Sequence, residues 1–280
     1  MIKLVLSDLD NTLLWQGERH VATPFAIEAI HTLQDAGVHF APCTGRVWRN
    51  MGEMFADDER CYQTAVLCNG LMVYLDGRLI DDHVLTYEQL AALQERLETT
   101  PDMFMVTEYD DGRKVVVNAT MDYVHERQKD FWTVNAASKT VLPESCHKVN
   151  IRVMSSWERT LQLRDWLNAE LPDLSITCPI PGRGMLDVAP AGMGKEMGAE
   201  ALMERLELDA DEVCVFGDAD NDLSIIRHFP NSVAVAGAMD SVLEAARWRI
   251  GPAEQDSVAH ALLDIARAAA DGRMPSFMTA

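Results

Sequence analysis

Ile2-Lys3-Leu4-Val5-Leu6-Ser7-Asp8-Leu9-Asp10-Asn11-Thr12-Leu13 is the stretch from which the fold of the 280-residue chain can be read. Residues 2–7 are a short aliphatic run without clean alternation, which predicts a parallel strand covered on both faces, and Asp8 falls where that strand ends. The same pattern recurs. VHFAPC (38–43) ends at Thr44, and TAVLC (64–68) ends at Asn69-Gly70. Between the runs, Thr23 is placed to cap a helix with Pro24 at its first position, Ile27, Ile30 and Leu33 at helical spacing, and Gly37 as its stop. A second helix is predicted over 46–55. The alternation resumes late in the chain with a helix over 195–206, the strand EVCVF (212–216) ending at Gly217-Asp218, a helix around 222–228 and the strand SVAVA (232–236). A last helix follows, with Val258, Ala261, Leu262, Ile265 and Ala266 on one face. This is the order of a doubly wound α/β sheet with polar tips at its strand ends. The tail after Asp271 is expected to fray.

The intervening sequence has a different grammar. LMVYL, Asp76-Gly77 and RLIDD read as a hairpin with a strong turn signal. Residues 85–185 then predict helix 87–97, strand 103–108, a turn at Asp110 to Gly112, strand 113–118, helix 121–130, strand 147–154, helix 157–169 and strand 174–178. About a hundred residues of α+β pattern are enough for a domain. The expected organisation is a core of residues 1–84 and 186–280, with residues 85–185 inserted into it. Trp132, Trp157 and Trp166 are expected to pack inside the insertion.

Composition narrows the function. Lys and Arg number 24 against 44 Asp and Glu, a formal charge of -20, which argues against a nucleic-acid partner because such proteins carry a basic footprint. With no run of about 18 apolar residues and no signal-peptide core, a cytoplasmic protein without a membrane partner is expected, as a monomer or small homo-oligomer. The six cysteines form no CxxC pair and are expected to be buried thiols, and the eight histidines show no metal-binding spacing.

In open α/β sheets ligands sit beyond the carboxyl ends of the strands. The residues there are Asp8 and Asp10, Thr44, Asn69, and Asp218 with Asn221 and Asp222. One DxD alone reads as ordinary loop carboxylates. Four converging carboxylates repel, at roughly 4 kcal/mol for two unit charges about 4 Å apart at an effective dielectric of about 20, so a cation is required. Oxygen ligands without a His or Cys cluster favour Mg²⁺, with Asp8, Asp10, Asp218 and Asp222 as its candidate ligands. Gly192-Met193-Gly194-Lys195 is not a Walker loop, because Ala189 and Glu196 stand where that motif needs Gly and Ser or Thr.

Asp8-Leu9-Asp10-Asn11-Thr12-Leu13, Thr44-Gly45-Arg46, Lys195 and Gly217-Asp218-Ala219-Asp220-Asn221-Asp222 resemble, in order, the four motifs of the haloacid dehalogenase superfamily of phosphohydrolases. Cys68-Asn69-Gly70 and the large insertion between the second and third motifs resemble its Cof-like branch, which contains many sugar phosphatases. The resemblance implies a Rossmann-like core with an α/β cap, Asp8 as nucleophile, Asp10 as acid and base, Thr44 and Lys195 on the phosphoryl group, and Asp218 and Asp222 at the metal. Glu196 departs from the glycine expected after the lysine, yet a carboxylate there suits the helix dipole. The roles agree with the chemistry: an ionised Asp8 can attack phosphorus, Asp10 can pass a proton to the leaving oxygen, and Lys195 and Thr44 can hold charge on the equatorial oxygens.

The resulting expectation is a Mg²⁺-dependent phosphomonoester hydrolase for a small phosphorylated metabolite, a sugar phosphate by resemblance. Its candidate phosphate- and substrate-binding residues are Thr44, Gly45, Arg46, Asn69, Gly70, Arg183, Lys195 and Asn221. Asn69 reads equally as a turn residue and Arg183 equally as a solvated loop arginine. A phosphomutase would re-donate the phosphoryl group instead of passing it to water. A non-catalytic phosphosugar-binding regulator would not need Asp8, Asp10, Lys195 and Asp218 together, and a phosphoacceptor signalling domain would need no cap.

Overall fold

The computed structural model describes residues 1–15, 21–109, 113–127, 136–138 and 142–279. The turn expected at 110–112, the end of the helix expected over 121–130, and Trp132 lie outside them. The described residues divide into two compact units, Met1–Asp82 with Gly194–Ala280, and His83–Met193.

The first unit starts with β1 (Leu4–Ser7), α1 (Pro24–Asp35), β2 (His39–Pro42), α2 (Arg49–Met54), β3 (Ala65–Leu67) and the hairpin β4 (Met72–Leu75) and β5 (Arg78–Asp82). Thr23 caps α1 by accepting the Ala26 N–H at 3.1 Å. Helix α2 is shorter than its sequence suggests. The Arg46 N–H turns toward Thr44 Oγ1 (3.3 Å) and the Arg46 carbonyl accepts the Cys68 N–H (3.0 Å), which commits this backbone to a loop.

The second unit runs through β6 (Leu85–Thr86), α3 (Tyr87–Glu98), β7 (Met103–Glu108), β8 (Lys114–Val117), α4 (Met121–Arg127), β9 (Ala136–Ser138), β10 (Ser145–Cys146), β11 (Lys148–Val153), α5 (Trp157–Glu170), β12 (Leu174–Thr177) and β13 (Met185–Pro190). Six strands pair in the order β12-β13-β11-β7-β8-β9, and β10 pairs with β6. Strand β13 is absent from the sequence reading, and its pairing with β11 and β12 takes this sheet to Pro190, past the boundary at 185. The unit has its own core, in which Leu90, Leu93 and Leu97 of α3 and Leu163 and Leu167 of α5 meet Met105, Val149, Ile151, Ile176 and Val188 of the sheet. Trp157 and Trp166 pack at its margin.

The chain returns to the first unit with α6 (Lys195–Arg205), β14 (Val213–Gly217), α7 (Leu223–His228), β15 (Asn231–Ala236), α8 (Asp240–Ala245), β16 (Trp248–Pro252) and α9 (Ser257–Ala270). The parallel sheet has the order β16-β15-β14-β1-β2. The Thr44 N–H reaches the Val66 carbonyl at 2.9 Å and continues that sheet toward β3. Leu4, Leu6, Ala41, Val66, Val213, Val215 and Ala234 form a buried layer against Ala199 and Leu202 of α6 and Ile225 and Ile226 of α7. Burial on both faces explains why β1 and β14 are apolar runs without alternation. The tail does not fray. Asp264 Oδ2 accepts the Ser276 N–H (2.6 Å) and hydroxyl (2.7 Å), and Met278 is buried.

Helix α6 lies very close to the turn after β3. Gly70 has φ +98°, and a Cβ there would sit 2.0 Å from the Gly194 carbonyl oxygen. Gly198, one turn into α6, faces the same turn: a Cβ there would lie 2.6 Å from Val66 Cγ1 and 3.0 Å from Gly70 Cα. Gly70→Ala is expected to cost on the order of 2–4 kcal/mol, combining left-handed strain with backbone overlap. Urea denaturation checks this as a lower midpoint with an unchanged slope.

Candidate active site

Parallel pairing places the ends of β1 and β14 level, with Ser7 opposite Phe216, so Asp8 and Asp218 emerge side by side. The Asp8 N–H extends the ladder to the Phe216 carbonyl at 3.0 Å. Asp222 folds back onto the same edge, where its Oδ2 accepts the N–H groups of Asp218 (2.9 Å) and Ala219 (3.1 Å). That return needs glycine at 217, since a Cβ there would lie 2.6 Å from the Asp222 Cβ and Cγ atoms. Carboxylate oxygens of Asp8, Asp218 and Asp222 all lie within 4.8 Å of one another.

Lys195, at the first position of α6, is fully buried. Its Nζ donates to Asp8 Oδ1 at 2.5 Å and to Asp222 Oδ1 at 2.6 Å. Burial alone would weaken this ammonium, but the Asp222 and Asp8 charges outweigh it and hold Lys195 above its ordinary value. Burial pushes the Asp8 carboxyl up to about 7, with Asp222 and Asp10 acting in the same direction and Lys195 opposing. Asp218 is likewise held well above the usual carboxylate range by burial and by the Asp8 and Asp222 charges. Thr12 Oγ1 donates to Asp218 Oδ1 at 3.0 Å. No role is assigned to Thr12 from sequence; its place inside the first motif is the only signal there.

The other expected residues sort into smaller groups. Arg46 forms a two-pronged pair with Asp10, Nε to Oδ2 at 2.8 Å and Nη2 to Oδ1 at 2.6 Å, so the Asp10 carboxylate is not among the three that converge. Thr44 is buried at the end of β2, followed by Gly45, and its carbonyl accepts the Asn69 N–H at 3.0 Å. Asn69, with φ +55° before Gly70, accepts from Asn221 Nδ2 at 3.0 Å. Asn221 Oδ1 is buried and has no donor among the described residues. Arg183 lies exposed on a turn of the second unit.

Three carboxylates share one ammonium here, and the donor set is oxygen only. A hard divalent cation such as Mg²⁺ fits it, because Asp8, Asp218 and Asp222 offer three converging oxygens and an excess of negative charge. Between the ordinary carboxyl value of 3.8 and about 7, Asp8 binds its proton more tightly in the folded than in the unfolded chain. Stability without metal should therefore fall as pH rises through that window. A divalent cation held there would favour the ionised form, so any rise in Tm on adding one should be larger at pH 7.5 than at pH 5, as scanning calorimetry would show. Lys195→Met removes the ammonium that pairs with Asp8 and Asp222 and should lower stability at neutral pH by about 3–5 kcal/mol, with an added divalent cation recovering part of the loss.

Residues 5–262 match the haloacid dehalogenase-like hydrolase family. The chain is 24% identical over 268 residues to the 5-amino-6-(5-phospho-D-ribitylamino)uracil phosphatase YbjI of Escherichia coli, covering 92% of this chain and 93% of that protein. It is 25% identical over 272 residues to the pyridoxal phosphate phosphatase YbhA of the same organism, covering 92% and 96%. Among solved structures, the subclass IIB sugar phosphatase BT4131 superposes with a TM-score of 0.76 at 21% identity, covering 93% of this chain and 97% of that one. The match spans both units and all four motifs, and the chain belongs to the haloacid dehalogenase-like hydrolases, as a phosphatase of that family.

Proposed function

We propose that the protein is a Mg²⁺-dependent sugar-phosphate phosphatase that works through a phosphorylated Asp8. The observation that carries this reading is the buried Lys195 ammonium held between Asp8 and Asp222 at the carboxyl edge of the sheet, with Asp218 completing the oxygen cluster. Asp8, Asp218 and Asp222 would hold Mg²⁺, which when bound offsets the repulsion between the Asp8 carboxylate and the phosphoryl oxygens. Asp8 attacks phosphorus and the bond to the leaving oxygen breaks. Asp10 donates a proton to that oxygen, then takes one from the water that releases phosphate from Asp8. Lys195 and Thr44 supply positive charge and a hydroxyl to the oxygens on which charge spreads. Arg46 binds both Asp10 oxygens in the free protein, so proton transfer requires this pair to part, and the substrate phosphate is a competing partner for the guanidinium.

The second unit is proposed to read the leaving group. Lys148, Asn150 and Arg152 alternate along β11 and so share one face of it, which carries polar chemistry away from the aliphatic face of Val149, Ile151 and Val153. Lys148 Nζ donates to Asp187 Oδ1 at 2.8 Å and Asn150 donates to the same oxygen. Burial pushes the Arg152 guanidinium down to about 10, with Asp187 opposing and Arg183 assisting. A polar sheet face of this kind suits a hydroxyl-rich leaving group, and the sugar phosphatase among the solved neighbours supports the same class.

Phosphate release with Mg²⁺ from a panel of phosphorylated metabolites tests the reading. Sugar phosphates should rank first, and excess chelator should abolish turnover reversibly. Asp8→Asn should fold and lose at least about a thousandfold in kcat, and Asp10→Asn about 10²–10⁴-fold. Near-normal turnover by folded Asp8→Asn would remove the covalent route.

A further inference from the structure

A second group of donors lies on the first unit, apart from the carboxylate cluster. His31 Nε2 is 2.9 Å from Asp58 Oδ2 and 3.9 Å from Cys61 Sγ, and one donor atom from each of the three side chains lies within 4.8 Å of the others. Local structure accounts for the convergence. Asp58 is the extended cap of the 3₁₀ turn Glu59–Cys61, and that turn brings Cys61 back beside it. The Cys61 N–H bonds to the Asp58 carbonyl at 3.0 Å, and Asp58 Oδ1 accepts the Arg60 N–H at 3.2 Å, leaving Oδ2 for His31. His31, Gln34 and Asp35 share one face of α1 at helical spacing. Gln34 Nε2 donates to the Arg60 carbonyl at 2.9 Å and Asp35 takes the Arg60 guanidinium, which clamps the turn against the helix and keeps that cation occupied outside the cluster.

We propose that His31, Asp58 and Cys61 form a Zn²⁺ site distinct from the Mg²⁺-type cluster. The donor set decides the metal: one imidazole nitrogen, one carboxylate oxygen and one thiol are borderline-soft ligands that suit Zn²⁺, whereas Mg²⁺ takes oxygen alone. A neutral imidazole, a carboxylate and a thiolate also balance the charge of Zn²⁺. Both Asp58 and Cys61 approach the same ring nitrogen, which argues against a nucleophile relay, because a relay needs the carboxylate on the opposite ring nitrogen from the thiol. Donors bound tetrahedrally to zinc lie roughly 3.3–3.8 Å apart, so the widest pair need contract by no more than about 1.5 Å. His31 and Asp58 are each about one-third exposed, at 32% and 31% of their side-chain areas, so an ion can enter from solvent and keep a water as fourth ligand, while Cys61 is buried beneath them. Burial first, then the Asp58 charge, pushes the Cys61 thiol up to about 12 against the opposing charge of Arg60. Binding would form the zinc–sulfur bond as the thiol proton leaves to solvent.

The full chain, freed of transition metals and kept in excess Mg²⁺ so that the oxygen cluster stays filled, is titrated with Co²⁺ and then with Zn²⁺. One equivalent of Co²⁺ should give a thiolate-to-cobalt charge-transfer band that Zn²⁺ abolishes. Cys61→Ala and His31→Gln should lose the band and weaken Zn²⁺ binding by more than about a hundredfold, the upper range for disturbing even the residues behind a metal's ligands. Their Mg²⁺-dependent release of phosphate from p-nitrophenyl phosphate should be unchanged. Asp58→Asn retains an oxygen to cap the turn, and should weaken Zn²⁺ at least about tenfold if either of the others fails to fold. Absence of the band in the wild-type protein, or its persistence in folded Cys61→Ala or Asp58→Asn at undiminished affinity, would overturn the site.

Discussion

A lysine ammonium with no exposed surface, pinned between Asp8 and Asp222, is the interaction around which the first unit is arranged. Withdrawing such a charge from water is costly unless opposite charges meet it at short range. Here each partner comes from a different part of the chain: Asp8 from the end of β1, Asp222 from the turn after β14, and Lys195 from the first turn of α6. For Lys195 to arrive there, α6 must lie close against the turn after β3, and Gly70 and Gly198 leave room for that approach. For Asp222 to arrive, its carboxylate must fold over Gly217 and cap the Asp218 and Ala219 N–H groups. One ammonium among three carboxylates leaves an excess of two acids, and burial together with that excess holds Asp8 and Asp218 above the usual carboxylate range.

Much of this arrangement was legible in residues 2–13 and 212–222, because a parallel strand buried on both faces is an unbroken aliphatic run and the first polar residue after it marks the edge where ligands sit. Asp8, Thr44, Asn69 and Asp218 are at those edges. What sequence could not show was partnership. The pairing of Arg46 with both oxygens of Asp10, the support of Asp218 by Thr12 and the bond between Asn221 and Asn69 are contacts between segments far apart in the chain or across a loop, and no local pattern encodes them.

The elements missed have similar causes. Strand β13 carries Asp187 and ends in Pro190, and its strand character comes from pairing with β11 and β12 on either side. Strand β16, Trp248–Pro252, sits at the sheet edge, with Arg249 and Gly251 exposed, so it lacks the aliphatic signature of the central strands. Residues after Asp271 carry a loop composition, yet Asp264 ties down Ser276 and Met278 is buried. In each case a long-range contact outweighs a weak local preference.

The central claim is that Asp8, held ready beside Lys195, accepts the phosphoryl group. Borohydride reduces an acyl phosphate to an alcohol, so trapping during steady-state turnover with Mg²⁺ and a sugar phosphate would convert phosphorylated aspartate into homoserine at that position of the chain. Peptide mass spectrometry should find homoserine at position 8 only when substrate and Mg²⁺ are both present. Active turnover with Asp8 unmodified, or with the label on a different carboxylate, would contradict the account.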